Sequence, residues 1–294
     1  MLELRMRTVP TVPLEAECIS PDRLSSLRTE EIARQSVLYG NREEQLGEFF
    51  TVYGSAEDGE VHVEGELSKV KWLGAQMTRG RLVIHGTVGM HLGSQMRGGS
   101  IEVFGDVGDW LGAEMRGGKI HVHGNAGHLA GAAYRGSRAG MRGGVILIEG
   151  HAGFEVGHGL RRGLIVIGGD VGDFCGVNVL AGTICVFGRV GWRVGAGMKR
   201  GSVVLAHPQS GFEPLATYRR SGLFESVWLR VLGRQLAQWG FTPLATEPAP
   251  SRPKSAQHSY TATETTPTWC TGRFWRYCGD FAELAKGEIL VRES

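Results

Sequence analysis

Four arginines recur along the chain at intervals of 19, 26 and 19 residues: Arg97, Arg116, Arg142 and Arg161. Arg79 and Arg162 stand one place further along the same unit, and Lys199 and Arg200 close the series. A guanidinium is planar, always charged and suited to bidentate contact with carboxylates or phosphates. Brought close together, such groups repel unless an anion lies between them. Two sources of that anion stay open. Asp106, Asp109, Asp170 and Asp173 occupy neighbouring positions and can supply it from within the chain. Alternatively it comes from outside, as an acidic protein surface or a carboxylate-rich coenzyme. Arg135 and Arg138 would extend such a face.

Little else in the sequence points to chemistry. There is no P-loop, no G-x-S-x-G and no H-E-x-x-H. Gly195-Ala-Gly197 is followed by Met198-Lys-Arg-Gly201, so it belongs to the repeat and not to a dinucleotide fingerprint. His121 and His123 alternate with Val122 and are expected on the surface, as is His85 after Ile84. His85 and His123 share a position two repeats apart, about 9–10 Å by strand stacking, too far for one metal without other ligands. His151 and His158 are expected to face one groove. With no carboxylate pair placed for acid–base work, no catalytic residue and no metal is assigned.

What must position the arginines is a 19-residue unit. Copies begin at Met77, Met96, Met115, Met141, Leu160, Val179 and Met198, with a degenerate first copy near Ala56. Counting the first residue of each copy as zero, glycine recurs at positions 3, 9, 12 and 16. Positions 5 and 7 hold aliphatic pairs such as Ile101/Val103, Ile146/Ile148 and Ile165/Ile167. Period-2 alternation of β-branched residues between glycine corners indicates short strands, and it leaves no run long enough for a helical repeat. The expected fold is mainly β: a right-handed parallel β-helix of about 7–8 coils spaced roughly 4.8 Å apart. The interval between Met115 and Met141 carries seven extra residues around Tyr134–Gly140, a surface loop of the kind that often binds.

Three regions follow. Residues 1–55 form an N-terminal cap with short helices, starting at Ser20-Pro21-Asp22 and at Thr29-Glu30-Glu31. Residues 56–207 are the glycine-rich β-helix. Residues 208–294 comprise a helix over Ser221–Trp239, a Pro/Ser/Thr linker at 243–268 and an aromatic tail from Trp269 to Val291. Pro208 and Pro214 are expected to end the β pattern. The tail is expected to dock on the rod or on a partner. A net charge of +2 is too mild to argue for nucleic acid, and no apolar run approaches a membrane span. Five cysteines without a C-x-x-C suggest reduced thiols in the cytoplasm, and no signal-peptide core is evident.

Several stretches resemble the C subunit of formylmethanofuran dehydrogenase and that of its bacterial relative, the formyltransferase/hydrolase complex. They are Thr29-Glu-Glu-Ile32, Val37-Leu-Tyr-Gly-Asn41, Leu46-Gly-Glu-Phe-Phe50 and Val52-Tyr-Gly54. The Met-Arg-Gly-Gly corners at Met96, Met115 and Met141 join them, as do Tyr277-Cys-Gly-Asp280 and Gly287-Glu-Ile-Leu290. The resemblance implies a non-catalytic scaffold in a one-carbon complex. There, a formyl group passes from tetrahydromethanopterin to a methanofuran-type carrier and is released as formate. It also implies an amidohydrolase-like and a formyltransferase subunit as partners, and a carrier with a glutamate-rich tail. No cofactor is expected on this chain. The arginines at 97, 116, 142 and 161 would then touch that tail or a sister subunit. The alternatives are the C subunit of a molybdenum/tungsten dehydrogenase of archaeal type, or a stand-alone β-helix domain of the glutamate synthase kind. A polysaccharide-cleaving β-helix would want clustered Asp, Lys and Arg and an extracellular signal, and neither is evident.

Overall fold

The aliphatic pairs at positions 5 and 7 do form strands in the computed structural model, which describes residues 1–207, 211–244 and 268–293. One strand arises per repeat: β8 (Arg81–His85), β9 (Ser100–Phe104), β10 (Lys119–Val122), β11 (Val145–Ile148), β12 (Leu164–Ile167), β13 (Thr183–Val186) and β14 (Arg200–Leu205). They follow β6 (Glu60–Glu64) and β7 (Val70–Lys71) of the degenerate copy. Each pairs in parallel with the equivalent strand of the next repeat, so Ile101 lies beside Ile120 and Ile120 beside Ile146. Their side chains are fully buried.

The rest of each repeat stacks in the same register. Position 11 forms a bridge ladder from Leu67 through Val88, Val107, Ala126, Ala152 and Val171 to Val190. At position 16 the Gly112 N–H donates to Leu92 O, and the Gly131 N–H to Leu111 O, both at 2.8 Å. Backbone groups of one repeat are therefore satisfied by its neighbours. The inserted residues emerge between positions 18 and 0, where the Gly140 N–H donates to Gly159 O (2.8 Å) and the stacking resumes.

Both ends are covered. At the first end, β1 (Leu2–Met6) runs parallel to β6 and antiparallel to β5 (Phe50–Gly54). A small sheet of β2 (Leu14–Glu15), β3 (Ser36–Tyr39) and β4 (Arg42–Gln45) adds to β7. Short helices α1 (Pro21–Leu24), α2 (Thr29–Ala33) and α3 (Leu46–Phe49) bury Leu24, Ile32, Leu46 and Phe49 in the core. Asp22 ties this cap to the first repeats by accepting from the Thr78 N–H at 2.8 Å.

The other end departs from expectation. Ser221–Trp239 is not one helix: residues 221–225 belong to β15 (Arg219–Glu225), and α4 runs from Val227 to Gln238. The aromatic tail supplies β16 (Arg273–Gly279) and β17 (Lys286–Arg292). β17 takes the place of the next repeat beside β14, with Val203 paired to Ile289, and β15 completes the 13-stranded sheet. Leu223 and Phe224 fit a helical period locally, but pairing with Trp275 and Phe274 overrides it. The β pattern thus resumes after the proline-rich stretch. Pro208 and residues 245–267 of the expected linker lie outside the described residues. Trp269 and Phe274 are buried on this chain's own sheet.

A second core follows from that docking. The outward residues of β11–β14 and β17 are Leu147, Val166, Cys185, Val204 and Leu290, and they pack under Leu229 and Leu236 of α4 with Phe241, Trp269 and Phe274. Among the described residues no disulfide forms, and no helix is long and apolar enough to cross a membrane.

Candidate functional site

The four arginines project from one edge of the stack. Each backbone N–H donates to the position-0 carbonyl of the preceding repeat: Arg97 to Met77 (2.8 Å), Arg116 to Met96 (2.7 Å), Arg142 to Met115 (2.6 Å) and Arg161 to Met141 (2.9 Å). The residue before each arginine, Met96, Met115, Met141 or Leu160, turns inward and is fully buried, so the next side chain turns out; all four arginines are exposed. None forms an ion pair or side-chain hydrogen bond with the described residues.

The internal counter-charge is overturned. Asp106 Oδ1 accepts from the Asn125 N–H (2.7 Å) and Asp109 Oδ1 from the His128 N–H (2.7 Å). Asp170 and Asp173 likewise accept from Arg189 (2.6 Å) and Trp192 (2.7 Å). These carboxylates sit at positions 10 and 13, where they cap backbone donors of the next repeat, far along the unit from the arginines. The same job is done by Asn125 for His151 (2.8 Å) and by His128 for Phe154 (2.9 Å). His151 Nδ1 accepts from the Asp170 N–H (2.9 Å), whereas His158 pairs with Glu155 (2.8 Å). These two histidines belong to separate ladders, and the structure does not bring them together.

Beside the arginine row, the inserted loop builds a cleft. Trp72, His91 and Trp110 occupy position 14, or its counterpart in the first copy. His91 stacks on Trp72 with ring centroids 4.1 Å apart and on Trp110 at 6.2 Å. All three have positive φ (68°, 66° and 65°), a backbone that costs a bulky residue about 1–2 kcal/mol. Tyr134, the first residue of the insertion, lies against Trp110 at 4.8 Å. Its hydroxyl is 2.9 Å from His91 Nδ1 and 2.7 Å from Ser94 Oγ. A cavity of about 480 Å³ opens here, lined by Glu17, Trp72, Gln76, His91, Ser94, Gln95 and Tyr134. Burial, reinforced by Lys71 nearby, pushes the His91 imidazole down to about 4, against the pull of Asp109. Burial pushes the Tyr134 phenol up to about 12. At neutral pH both are therefore uncharged, and the cleft presents flat rings with a polar rim, an arrangement suited to holding a planar group.

No protein-family model matches the chain. It is 43% identical over 82 residues to the C subunit of molybdenum-containing formylmethanofuran dehydrogenase 1 from Methanothermobacter marburgensis, covering 28% of this chain and 20% of that protein. It is 38% identical over 87 residues to the C subunit of the tungsten-containing formylmethanofuran dehydrogenase 2 of that organism, covering 28% and 32%. The match thus spans about a fifth to a third of these curated relatives. The fold superposes with a TM-score of 0.85 and 29% identity on a chain of the formyltransferase/hydrolase complex (FhcABCD) from Methylorubrum extorquens, crystallised with methylofuran. That superposition covers 99% of this chain and 100% of the other. In sequence the chain is thus similar to formylmethanofuran dehydrogenase C subunits, and in fold to a chain of the formyltransferase/hydrolase complex.

Of the remaining histidines, His85 is exposed as expected and His121 is not. His121 is 4% exposed and not a surface residue, because Phe241 of the C-terminal segment covers it. The ring of Phe104 lies between His85 and His123, stacked at 5.1 and 4.6 Å. The Trp72–His91–Trp110 column was not anticipated from the sequence. Its signal was available: position 14 is aromatic in consecutive repeats shortly before the one that carries the insertion.

Proposed function

We propose that this chain is the non-catalytic scaffold of a formyltransferase/hydrolase complex, and that its arginine row guides the glutamate-rich tail of a methanofuran-type carrier. In that reading, amidohydrolase-like and formyltransferase subunits perform the chemistry, passing a formyl group from tetrahydromethanopterin to the carrier and releasing formate. The chain works in the cytoplasm and binds no organic cofactor of its own.

The observation that carries the proposal is the row itself. Four exposed guanidinium groups stand one repeat apart with no ion-pair partner among the described residues, on a backbone fixed by hydrogen bonds. Spacing of roughly 4.8 Å per repeat makes an extended cationic track. A polycarboxylate laid along it gains several charge-assisted contacts at once. The crystallised complex of the structural relative contains methylofuran. Its chain matches this one from end to end, which favours the bacterial type over the molybdenum/tungsten type. The architecture that serves this role is a right-handed parallel β-helix of seven to eight coils over residues 56–207, capped by residues 1–55 and 208–294.

The test replaces Arg97, Arg116 and Arg142 by Gln in the assembled complex. Turnover of carrier with a full glutamyl tail is expected to fall about tenfold or more through KM, and more steeply at low salt. Carrier trimmed to one glutamate is expected to be unaffected. Equal turnover of both carriers by wild type and variant would refute tail guidance, and retention of all subunits on purification separates that role from assembly.

A further inference from the structure

The outward face of β9–β11 carries a polar cluster that neither the arginine row nor the aromatic cleft uses. Glu102 of β9 and His121 of β10 are register partners, His123 follows one residue beyond β10's last pair, and Glu149 follows β11. Glu149 binds both rings: Oε1 lies 3.0 Å from His121 Nε2, and Oε2 lies 3.1 Å from His123 Nδ1. A carboxylate accepts, so these contacts place the protons on His121 Nε2 and His123 Nδ1. In a neutral ring that leaves the His123 Nε2 lone pair facing Glu102 Oε1, 3.3 Å away. Two lone pairs do not attract; something positive belongs between them.

We propose that Glu102, His121 and His123 bind one zinc ion. One donor atom from each of the three lies within 4.8 Å of the others. Donors bound to tetrahedral zinc at about 2.0–2.1 Å sit about 3.3 Å apart, the spacing already found between His123 and Glu102. Two imidazoles and a carboxylate are a common zinc donor set. Glu149 supplies the outer support that metal-bound histidines generally have, a carboxylate on the ring nitrogen that does not face the ion. Arg81 holds the second oxygen of Glu102 at 2.8 Å and is itself anchored by Glu60 at 3.2 Å, so Oε1 is left for the ion.

The site is also roofed. Phe241 lies over His121, and Glu149 receives the Thr242 N–H (3.4 Å) while its backbone carbonyl receives the Leu244 N–H (3.3 Å). A bound ion would fix Glu149 through both histidines and so clamp the segment after α4 onto the sheet. The spacing of His85 and His123 argued against a shared metal. The partner that matters is His121, next to Glu102 across a strand pair.

The experiment uses the full-length chain, stripped with chelator and titrated with zinc chloride alone, then with cobalt as a spectroscopic probe. One equivalent is expected per chain, with cobalt showing the intense visible bands of a four-coordinate site. His123→Gln and Glu102→Gln should weaken zinc binding at least tenfold, and Glu149→Gln by 10–100-fold through the outer support. His151→Gln should bind like wild type. Glu102→Gln keeps a neutral partner for Arg81 and guards against misfolding, checked by its melting curve without zinc. Absence of a stoichiometric site in wild type would overturn the proposal. So would equal binding by the His123→Gln and Glu102→Gln variants, or a melting temperature that follows pH but ignores zinc, the signature of a proton on His123 Nε2.

Discussion

Gly112→Ala is the sharpest test of how the repeat is packed. Gly112 sits at position 16 with φ of +57°, and a Cβ built there would meet Ile146 Cδ1 at 2.6 Å and Ile120 Cδ1 at 3.3 Å. Comfortable carbon contacts need about 3.5–4.0 Å, so the nearer methyl must retreat by about 1 Å. It is walled in by the isoleucine ladder, which is fully buried. Overpacking of this kind costs about 1–3 kcal/mol. Left-handed backbone adds about 1–2 kcal/mol for a residue with a Cβ. The total is about 2–5 kcal/mol, or on the order of 10 °C in melting temperature for a chain of this size. The control is Gly136→Ala in the inserted loop, where φ is +86° but a Cβ meets nothing within 4 Å. It should lose only the backbone share. Thermal and urea melts of the full-length variants read the difference. If Gly112→Ala melts no lower than Gly136→Ala, the glycine at position 16 is there for backbone freedom alone, and the close-approach argument fails.

Two further outcomes follow from the ladders and the cleft. Asp106→Ala removes the acceptor for the Asn125 N–H and should cost about 1 kcal/mol, since water can take over at this exposed place, whereas Asp106→Asn should keep most of it. Equal losses in urea melts would show that charge, not the acceptor, matters. His91 resists protonation in the folded protein, titrating at about 4 against an ordinary 6.5. Between those values the unfolded chain binds the proton more readily, so stability should fall as pH drops below about 6.5 and level off below about 4. Melts from pH 7.5 to 5 should show a shallower slope in His91→Gln than in wild type; identical slopes would contradict the burial of this ring.

The aromatic cleft and the second core show how far local pattern reaches. Position 6 turns from Glu102 and His121 to Leu147, Val166, Cys185 and Val204, a change that marks where the outer sheet face is covered. That signal was present in the chain and is readable once the strands are known. The helix expected over Ser221–Trp239 failed for a different reason. Leu223 and Phe224 suit either period, and the choice was made by β16, some 50 residues later. Likewise, Asp106 and Asp173 are spaced like counter-ions for the arginines, yet their oxygens are taken by backbone donors of the next repeat.

The sequence by itself determined the repeat: its 19-residue period, the strand at positions 5 to 7, the arginines that recur at position 1, and the loop at Tyr134–Gly140. Each of these depends on residues within one unit and the identical unit beside it, so periodicity carries the information. Only the tertiary structure decided that the arginines lack a partner among the described residues, that Tyr134 closes on Trp110 and His91, and that His121 lies beneath Phe241. It also decided that the tail completes the sheet. Those outcomes turn on side chains brought together from about 20 to 120 positions apart, where hydrogen-bond supply and burial select among arrangements that local spacing allows equally.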